Sequence, residues 1–212
     1  MAKQKTNFFK STLFKCLVSL LTIALVASGL LAILNDLLYV DDATRTARAL
    51  KKIYDYDIYN YETVLEAEDE SKMLKYNGDS YVDKVYVVDG ATENDYDVLI
   101  HATGGQGYKN GTITLWIRVN VVESEQAGTK TTSEQIVTVI VDGYEKQTLM
   151  SRISKPFLER FCINITDKYE DIFTMKDESL KTPVTGATKS GNAVCNAVNC
   201  ALEYMSSWGG RA

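Results

Sequence analysis

The chain has 212 residues, 45% of them hydrophobic, enough for one domain with a sizeable core and a small appendage. Its net charge of −5 hides an asymmetry: residues 1–15 carry Lys3, Lys5, Lys10 and Lys15 and no acid, so the rest holds 19 basic against 28 acidic residues, a net of −9. So acidic a body repels phosphate backbones and sets nucleic-acid binding aside, while one histidine and four cysteines without CxxC spacing set aside zinc, iron–sulfur and c-type haem centres.

Residues 16–34 read CLVSLLTIALVASGLLAIL, nineteen residues without a charge. As a helix at ~1.5 Å per residue they span roughly 28 Å, the thickness of a bilayer's hydrocarbon core. Residues 16–38 are therefore expected to be a transmembrane anchor behind a basic cytoplasmic N-terminus, residues 1–15. The lysines before the run, against Asp36, Asp41 and Asp42 after it, place the N-terminus inside and the body on the extracellular or periplasmic side of the cell membrane. A cleaved signal peptide is the competing reading, but its apolar core is usually about 7–15 residues with a small-x-small site behind it. This run is longer and continues into Asn35-Asp36-Leu37-Leu38-Tyr39.

Residues 39–80 read as a stalk or linker. Within them TRTARALKKI (44–53) suits a short helix, and YDYDIYNY (54–61) alternates with a period of two and suits a strand. EAEDE at 66–70 is acidic but lacks the Asp/Gly spacing of a calcium loop. Residues 81–206 are expected to form the main domain, with 207–212 as a tail. Runs rich in Val, Ile, Thr and Tyr at 81–88, 97–103, 113–122 and 135–141 are strand candidates, separated by loops carrying Gly90, Gly104, Gly105, Gly107 and Gly128. Helices are expected after them, at 155–161 and 190–205. Strands first and helices second predict an α+β domain with a mostly antiparallel sheet and flanking helices, not alternating βαβ units. His101, inside the strand-like DVLIHAT, reads as a structural histidine. Cys195 and Cys200 fall about 140° apart around the last helix and cannot bridge each other.

Two glycine-bearing segments invite a binding role. GGQGYKNG (104–111) lacks the Lys-Ser/Thr ending of a phosphate loop and precedes a strand, so it reads as a hairpin connection with Tyr108 facing outward. TGATKS (185–190) precedes a helical stripe made by Val194, Ala197, Val198, Ala201, Leu202 and Met205. Ser190 or Thr188 is the expected N-cap, which needs only one hydroxyl. The segment holds three, together with Lys189 and the small Gly186 and Ala187. A helix start offering N–H donors, a positive dipole end and a lysine is a phosphate-binding arrangement.

Thr185-Gly186-Ala187-Thr188-Lys189-Ser190 resembles the (Ser/Thr)-Gly-Ala-Thr-x-(Ser/Thr) motif of covalent FMN-binding domains, such as the G subunit of the Rnf ferredoxin:NAD oxidoreductase and the C subunit of the sodium-pumping NADH:quinone oxidoreductase. Most of the chain follows that pattern: a short basic start, one apolar helix, a Gly-Tyr turn at Gly107-Tyr108, then the late TGAT helix. The resemblance implies FMN joined by a flavin transferase through a phosphoester to Thr188, with Thr185, Gly186, Ala187, Lys189 and Ser190 around the phosphate. It implies that Tyr108 and the segment Gln147-Thr148-Leu149 lie along the flavin, where the family has Glu-Thr-Pro-Gly-Leu-Gly. Thr182 stands where the family usually has an aspartate. The implied protein is an electron carrier, not an enzyme by itself, whose partners are other membrane subunits of an ion-translocating Rnf-type complex. The C subunit of the quinone reductase, a free-standing extracellular flavoprotein, and an anchored binding or structural domain without flavin are the alternatives.

Overall fold

The computed structural model describes residues 12–58, 60–67, 73–76, 78–92, 94–126, 129–165, 173–181 and 184–209. The chain divides into two units, one up to Thr46 and one from Ala47 onward.

In the first unit, helix α1 (Thr12–Leu38) contains Phe14–Leu38, a stretch of 25 residues long and apolar enough to cross a membrane by length and composition. Its apolar side chains stand largely exposed, with Leu20, Leu31 and Ile33 each more than 65% exposed. Two of its hydroxyls are satisfied internally, Thr22 donating to the Val18 carbonyl at 2.8 Å and Ser28 to the Ala24 carbonyl at 2.7 Å. Such back-bonding leaves those side chains no unpaired donor, which is what a hydrocarbon environment demands. A single-pass anchor is consistent with this helix.

The second unit is an α+β domain built on a seven-stranded antiparallel sheet. Its strands are β1 (Glu62–Glu66), β2 (Leu74–Lys75), β3 (Tyr81–Asp89), β4 (Asp95–Gly104), β5 (Ile113–Gln126), β6 (Thr129–Tyr144) and β7 (Asn164–Ile165). The order is β1-β3-β4-β5-β6-β7, with β2 sharing the outer edge of β3. The four runs expected as strands form the central meander β3 to β6. Among the described residues of 54–61 the expected strand does not form. Helix α2 (Asp42–Tyr54) continues into that tract and the chain then bends, with Asp55 at a φ of 60°, so the first strand begins only at Glu62.

Alternation divides the sheet into two faces. One carries Val85, Val87, Val98, Ile100, Ala102, Leu115, Ile117, Val119 and Ile136, and against it packs α5 (Thr188–Ser206). All six residues of the stripe read from the sequence are at most 1% exposed. Fully burying a side chain of this kind contributes roughly 1.5–3 kcal/mol, which makes this layer the main source of stability. Phe157, Phe161 and Phe173 close it with edge-to-face contacts at 5.3 and 4.8 Å. Phe157 lies on the short helix α3 (Lys155–Leu158), which runs into a 3-10 turn at Glu159–Phe161. Cys195 and Cys200 are free and buried here, and burial pushes the Cys195 thiol up to about 12.

The other face carries Tyr86, Val88, Leu99 and Trp116, covered by Ala49, Leu50, Ile53 and Tyr54 of α2. Residues 47–80, read from the sequence as stalk, thus supply a helical half-layer and two edge strands to the body. Buried Asp97 anchors this face, accepting from the Tyr54 hydroxyl at 2.7 Å and from Arg118 Nε at 2.9 Å. Burial, then the hydrogen bond to Asp97, holds the Tyr54 phenol far above its ordinary range.

His101 is indeed held structurally. Its Nδ1 lies 2.6 Å from Asp83 Oδ1 and its Nε2 3.2 Å from Asp142 Oδ2. Both carboxylates are the extra residues of β-bulges: register skips between Val82 and Lys84 in β3, and between Val141 and Gly143 in β6. Bulges re-aim side chains, and these two turn carboxylates onto one imidazole. Burial of the ring lowers its pKa, but hydrogen bonds to Asp142 and Asp83 and their charges outweigh it, so the net shift is upward from 6.5. The same hydrogen bond lowers the pKa of Asp142. Between the unfolded value of 6.5 and the higher folded value the native state holds one proton more than the unfolded chain. Stability from this pair is therefore complete below pH 6.5 and is lost as pH rises through the folded pKa, at no more than about 1.4 kcal/mol per pH unit. Denaturation midpoints measured from pH 6 upward should show this decline in the wild-type chain and not in His101→Asn.

Candidate functional site

Three segments far apart in sequence meet at the end of the sheet where β4 and β6 stop and β5 starts. The first is the β4–β5 connection. It is a hairpin link, as its sequence suggests, closed by Gly107 N–H to the Gly111 carbonyl and Gly111 N–H to the Tyr108 carbonyl, both at 2.9 Å. Tyr108 sits in a 3-10 turn (Tyr108–Asn110) and is 38% exposed. The second segment follows β6, where Lys146 takes a φ of 57° and hands the chain to buried Gln147. Gln106, Lys109 and Asn110 are also left-handed, with φ of 62°, 51° and 54°. Non-glycine residues in this region cost of order 1 kcal/mol each and persist where surrounding structure holds them, often at functional sites.

The third segment is the start of α5. Gly186, at a φ of 87°, occupies the third position of a turn closed by Ala187 N–H to the Val184 carbonyl at 2.7 Å, a conformation for which glycine is suited. The helix then begins earlier than its hydroxyls suggested. Its N-cap is Ala187, with no side-chain cap, so neither Thr188 nor Ser190 caps it. Thr188, Lys189 and Ser190 form the first turn instead, and Ser190, pointing inward at 2% exposure, gives its hydroxyl proton to Gln147 Oε1 at 2.7 Å. The first intrahelical bond runs from Gly191 N–H to the Ala187 carbonyl at 2.9 Å. The N–H groups of Thr188, Lys189 and Ser190 precede it and have no intrahelical acceptor.

Gln147 joins the three. Its Oε1 also accepts from Tyr108 N–H at 3.2 Å, and its Nε2 donates to the Glu145 carbonyl at 3.0 Å. Tyr108, Gln147 and Ser190 are thus one hydrogen-bonded cluster, with half-exposed Thr188 two residues before Ser190. Thr185, Gly186 and Lys189 are exposed, and Ala187 is buried at 4%. Thr148 and Leu149 are exposed, Leu149 at 44%, and make no contact with Gln147's cluster among the described hydrogen bonds. Thr182, where the resembled family has an acid, lies outside the described residues. The nearby acid Asp177 is committed: its carboxylate accepts from Ser179 N–H at 2.8 Å at the start of the short helix α4 (Glu178–Lys181). Bonds from Ser179 hold that carboxyl below its usual range.

A cleft of about 300 Å³ opens at the same end of the sheet, lined by Met73, Lys75, Gly78, Asp79, Ser80 and Tyr81. Its floor is tied to the site's loop: Ser80 Oγ accepts from Gly105 N–H at 3.1 Å, and Asn196 of α5 donates to the Gly105 carbonyl at 2.9 Å. Sequence reasoning missed this cleft because it placed residues 39–80 in a stalk; the only available signal was the turn chemistry of Gly78-Asp79-Ser80. Among the described residues no group of three or more His, Cys, Asp or Glu side chains is placed to hold a metal ion.

The donor set at the start of α5 suits a phosphate. Uncapped N–H groups, the positive end of a nineteen-residue helix, exposed Lys189 and the open surroundings of Gly186, with nothing within 4 Å of its Cβ position, leave an anion both attraction and room. Fold and site together define a class: one N-terminal apolar helix of membrane-crossing length and an α+β domain with a flanked antiparallel sheet. No protein-family model, curated protein or solved structure matches the chain.

Proposed function

We propose that this chain is a membrane-anchored flavoprotein subunit that carries FMN in phosphoester linkage on Thr188 and relays electrons within an ion-translocating complex of the Rnf type. The observation that carries the reading is the junction at Gln147. Residues that the family resemblance assigns to one flavin site, drawn from the Tyr108 turn, the 147–149 segment and the TGATKS segment, meet there through hydrogen bonds of 2.7 and 3.2 Å. Thr188, partly exposed, stands beside that junction at the first helical position. Its hydroxyl can be esterified without removing a helix hydrogen bond, because helix bonds run between backbone groups, and those that the first turn leaves without an intrahelical partner are its N–H donors. Those donors and Lys189 hold the phosphate, while Gly186 and Ala187 keep bulk away from it. The bound flavin supplies the electron chemistry, and the protein sets its position and surroundings.

In this reading α1 spans the cell membrane with the N-terminus inside, the flavin domain lies outside, and the partners are membrane subunits of the redox complex and the flavin transferase that matures the chain. The test is co-expression of the full chain with a flavin transferase, followed by denaturing electrophoresis and mass spectrometry. The expected result is a fluorescent band and a mass gain equal to FMN less one water, since the threonine oxygen replaces one oxygen on phosphorus. A dark band and unchanged mass, with a transferase shown active on another substrate, would leave the chain an anchored binding or structural domain.

A further inference from the structure

We propose that Gln147 is a positioning residue: a clamp that fixes the first turn of α5 against the Tyr108 turn and thereby sets where the Thr188 hydroxyl is presented. The proposal rests on the reading of Thr188 as the attachment point. The clamp is complete. A side-chain amide has two acceptor sites and two donor hydrogens, and here all four have partners. Oε1 accepts from Ser190 Oγ–H at 2.7 Å and Tyr108 N–H at 3.2 Å, while Nε2 donates to the carbonyls of Glu145 at 3.0 Å and Tyr108 at 3.5 Å. The reverse orientation would aim the amide oxygen at two carbonyl oxygens and the NH2 at a backbone N–H, so only one arrangement satisfies every partner.

Neighbouring residues are shaped to this amide. A Cβ at Gly107 or Gly111 would lie 2.6 or 2.7 Å from Nε2. A side chain at either glycine would thus meet Gln147, and also a main-chain carbonyl, that of Gly111 beside residue 107 and that of Glu145 beside residue 111. The side chain is 8% exposed and Ser190 2%, so water does not readily replace a lost partner. Ser190 is not a spare hydroxyl for a ligand, because its proton is committed to Gln147. Thr188 precedes Ser190 by two residues on the same turn, and fixing one fixes the other.

The test uses the full chain in detergent, as wild type, Gln147→Met, Gln147→Glu and Ser190→Ala, read by amide hydrogen exchange and by the rate of flavin attachment with a transferase. Gln147→Met keeps the volume and removes every hydrogen bond. It is expected to speed exchange at Tyr108 by about ten- to hundredfold, leaving β4 and β5 unchanged. Attachment to it is expected to slow by a similar, roughly tenfold or larger factor, since misplacing a reacting group by an ångström costs that much. Gln147→Glu supplies a readout that a filler role would not move. One carboxyl oxygen would face the two carbonyls that Nε2 now serves, and only the protonated acid can donate to them. Attachment relative to wild type is therefore expected to be near normal at pH 5 and to fall as pH rises to 8, whereas the ratio for Gln147→Met stays flat. Ser190→Ala, which leaves three of the four bonds, is expected to show an intermediate defect and decides the matter if Gln147→Met unfolds. Unchanged exchange at Tyr108, or attachment to both Gln147→Met and Ser190→Ala at the wild-type rate, overturns the proposal. A wild-type chain that takes up no flavin overturns the attachment reading, and the exchange rates then decide alone whether the clamp holds the turn.

Discussion

Gly104→Ala is expected to destabilise the domain by about 3 kcal/mol or more, a large share of a typical domain's stability. A Cβ at residue 104 would lie 1.9 Å from the Ala193 carbonyl oxygen and 2.4 Å from the Ala197 nitrogen. Both are main-chain atoms of α5, so no side-chain rotation relieves the clash. The helix would have to lift from the sheet by more than about an ångström, opening gaps beneath Ala193, Val194, Ala197 and Val198, each 0% exposed. Small residues at 193, 197 and 201 fall on one line of the helix, and with Gly104 they let the helix backbone approach β4. Urea denaturation of the full chain in detergent checks this, with Gly143→Ala as the control. Gly143 also lies in a strand, but nothing stands within 4 Å of its Cβ position, so its replacement should stay within about 0.5 kcal/mol of wild type. A midpoint for Gly104→Ala as close to wild type as the control's would mean that α5 does not sit on β4 as described.

On the proposed attachment, Thr188→Val should abolish covalent flavin outright. Valine copies the shape of threonine and removes only the hydroxyl, which makes no hydrogen bond to a described residue, so folding should be unaffected. The ester needs an oxygen at that position, and no other hydroxyl shares the geometry. Ser190 is turned inward to Gln147, and Thr185 precedes the turn at Gly186 instead of standing in the helix. In-gel fluorescence and intact mass should therefore fall to background in Thr188→Val and persist in Thr188→Ser. A fluorescent Thr188→Val band would move the attachment point to Thr185 or Ser190, and Thr185→Val and Ser190→Ala would then tell which.

The sequence by itself determined the apolar N-terminal helix, the four central strands, the antiparallel α+β class and the buried stripe of α5. These are local properties: charge-free length, β-branched composition and periodicity act through near neighbours along the chain. It also singled out TGATKS, because three hydroxyls exceed what a cap needs. Only the tertiary structure decided how they are used. Thr188 and Ser190 look equivalent as cap candidates in one dimension, but the N-cap falls at Ala187, and Gln147, forty-three residues before Ser190, takes the serine hydroxyl inward. The stalk reading of 39–80 failed where α2 met a face of the sheet, since Tyr54 shows no sign in its own neighbourhood of a partner at Asp97. Asp83 and Asp142 were likewise invisible, because a bulge is a property of paired strands and not of either alone. Hydrogen bonds between side chains distant in sequence depend on register and packing angle, which are set only when the whole sheet and its helices close together.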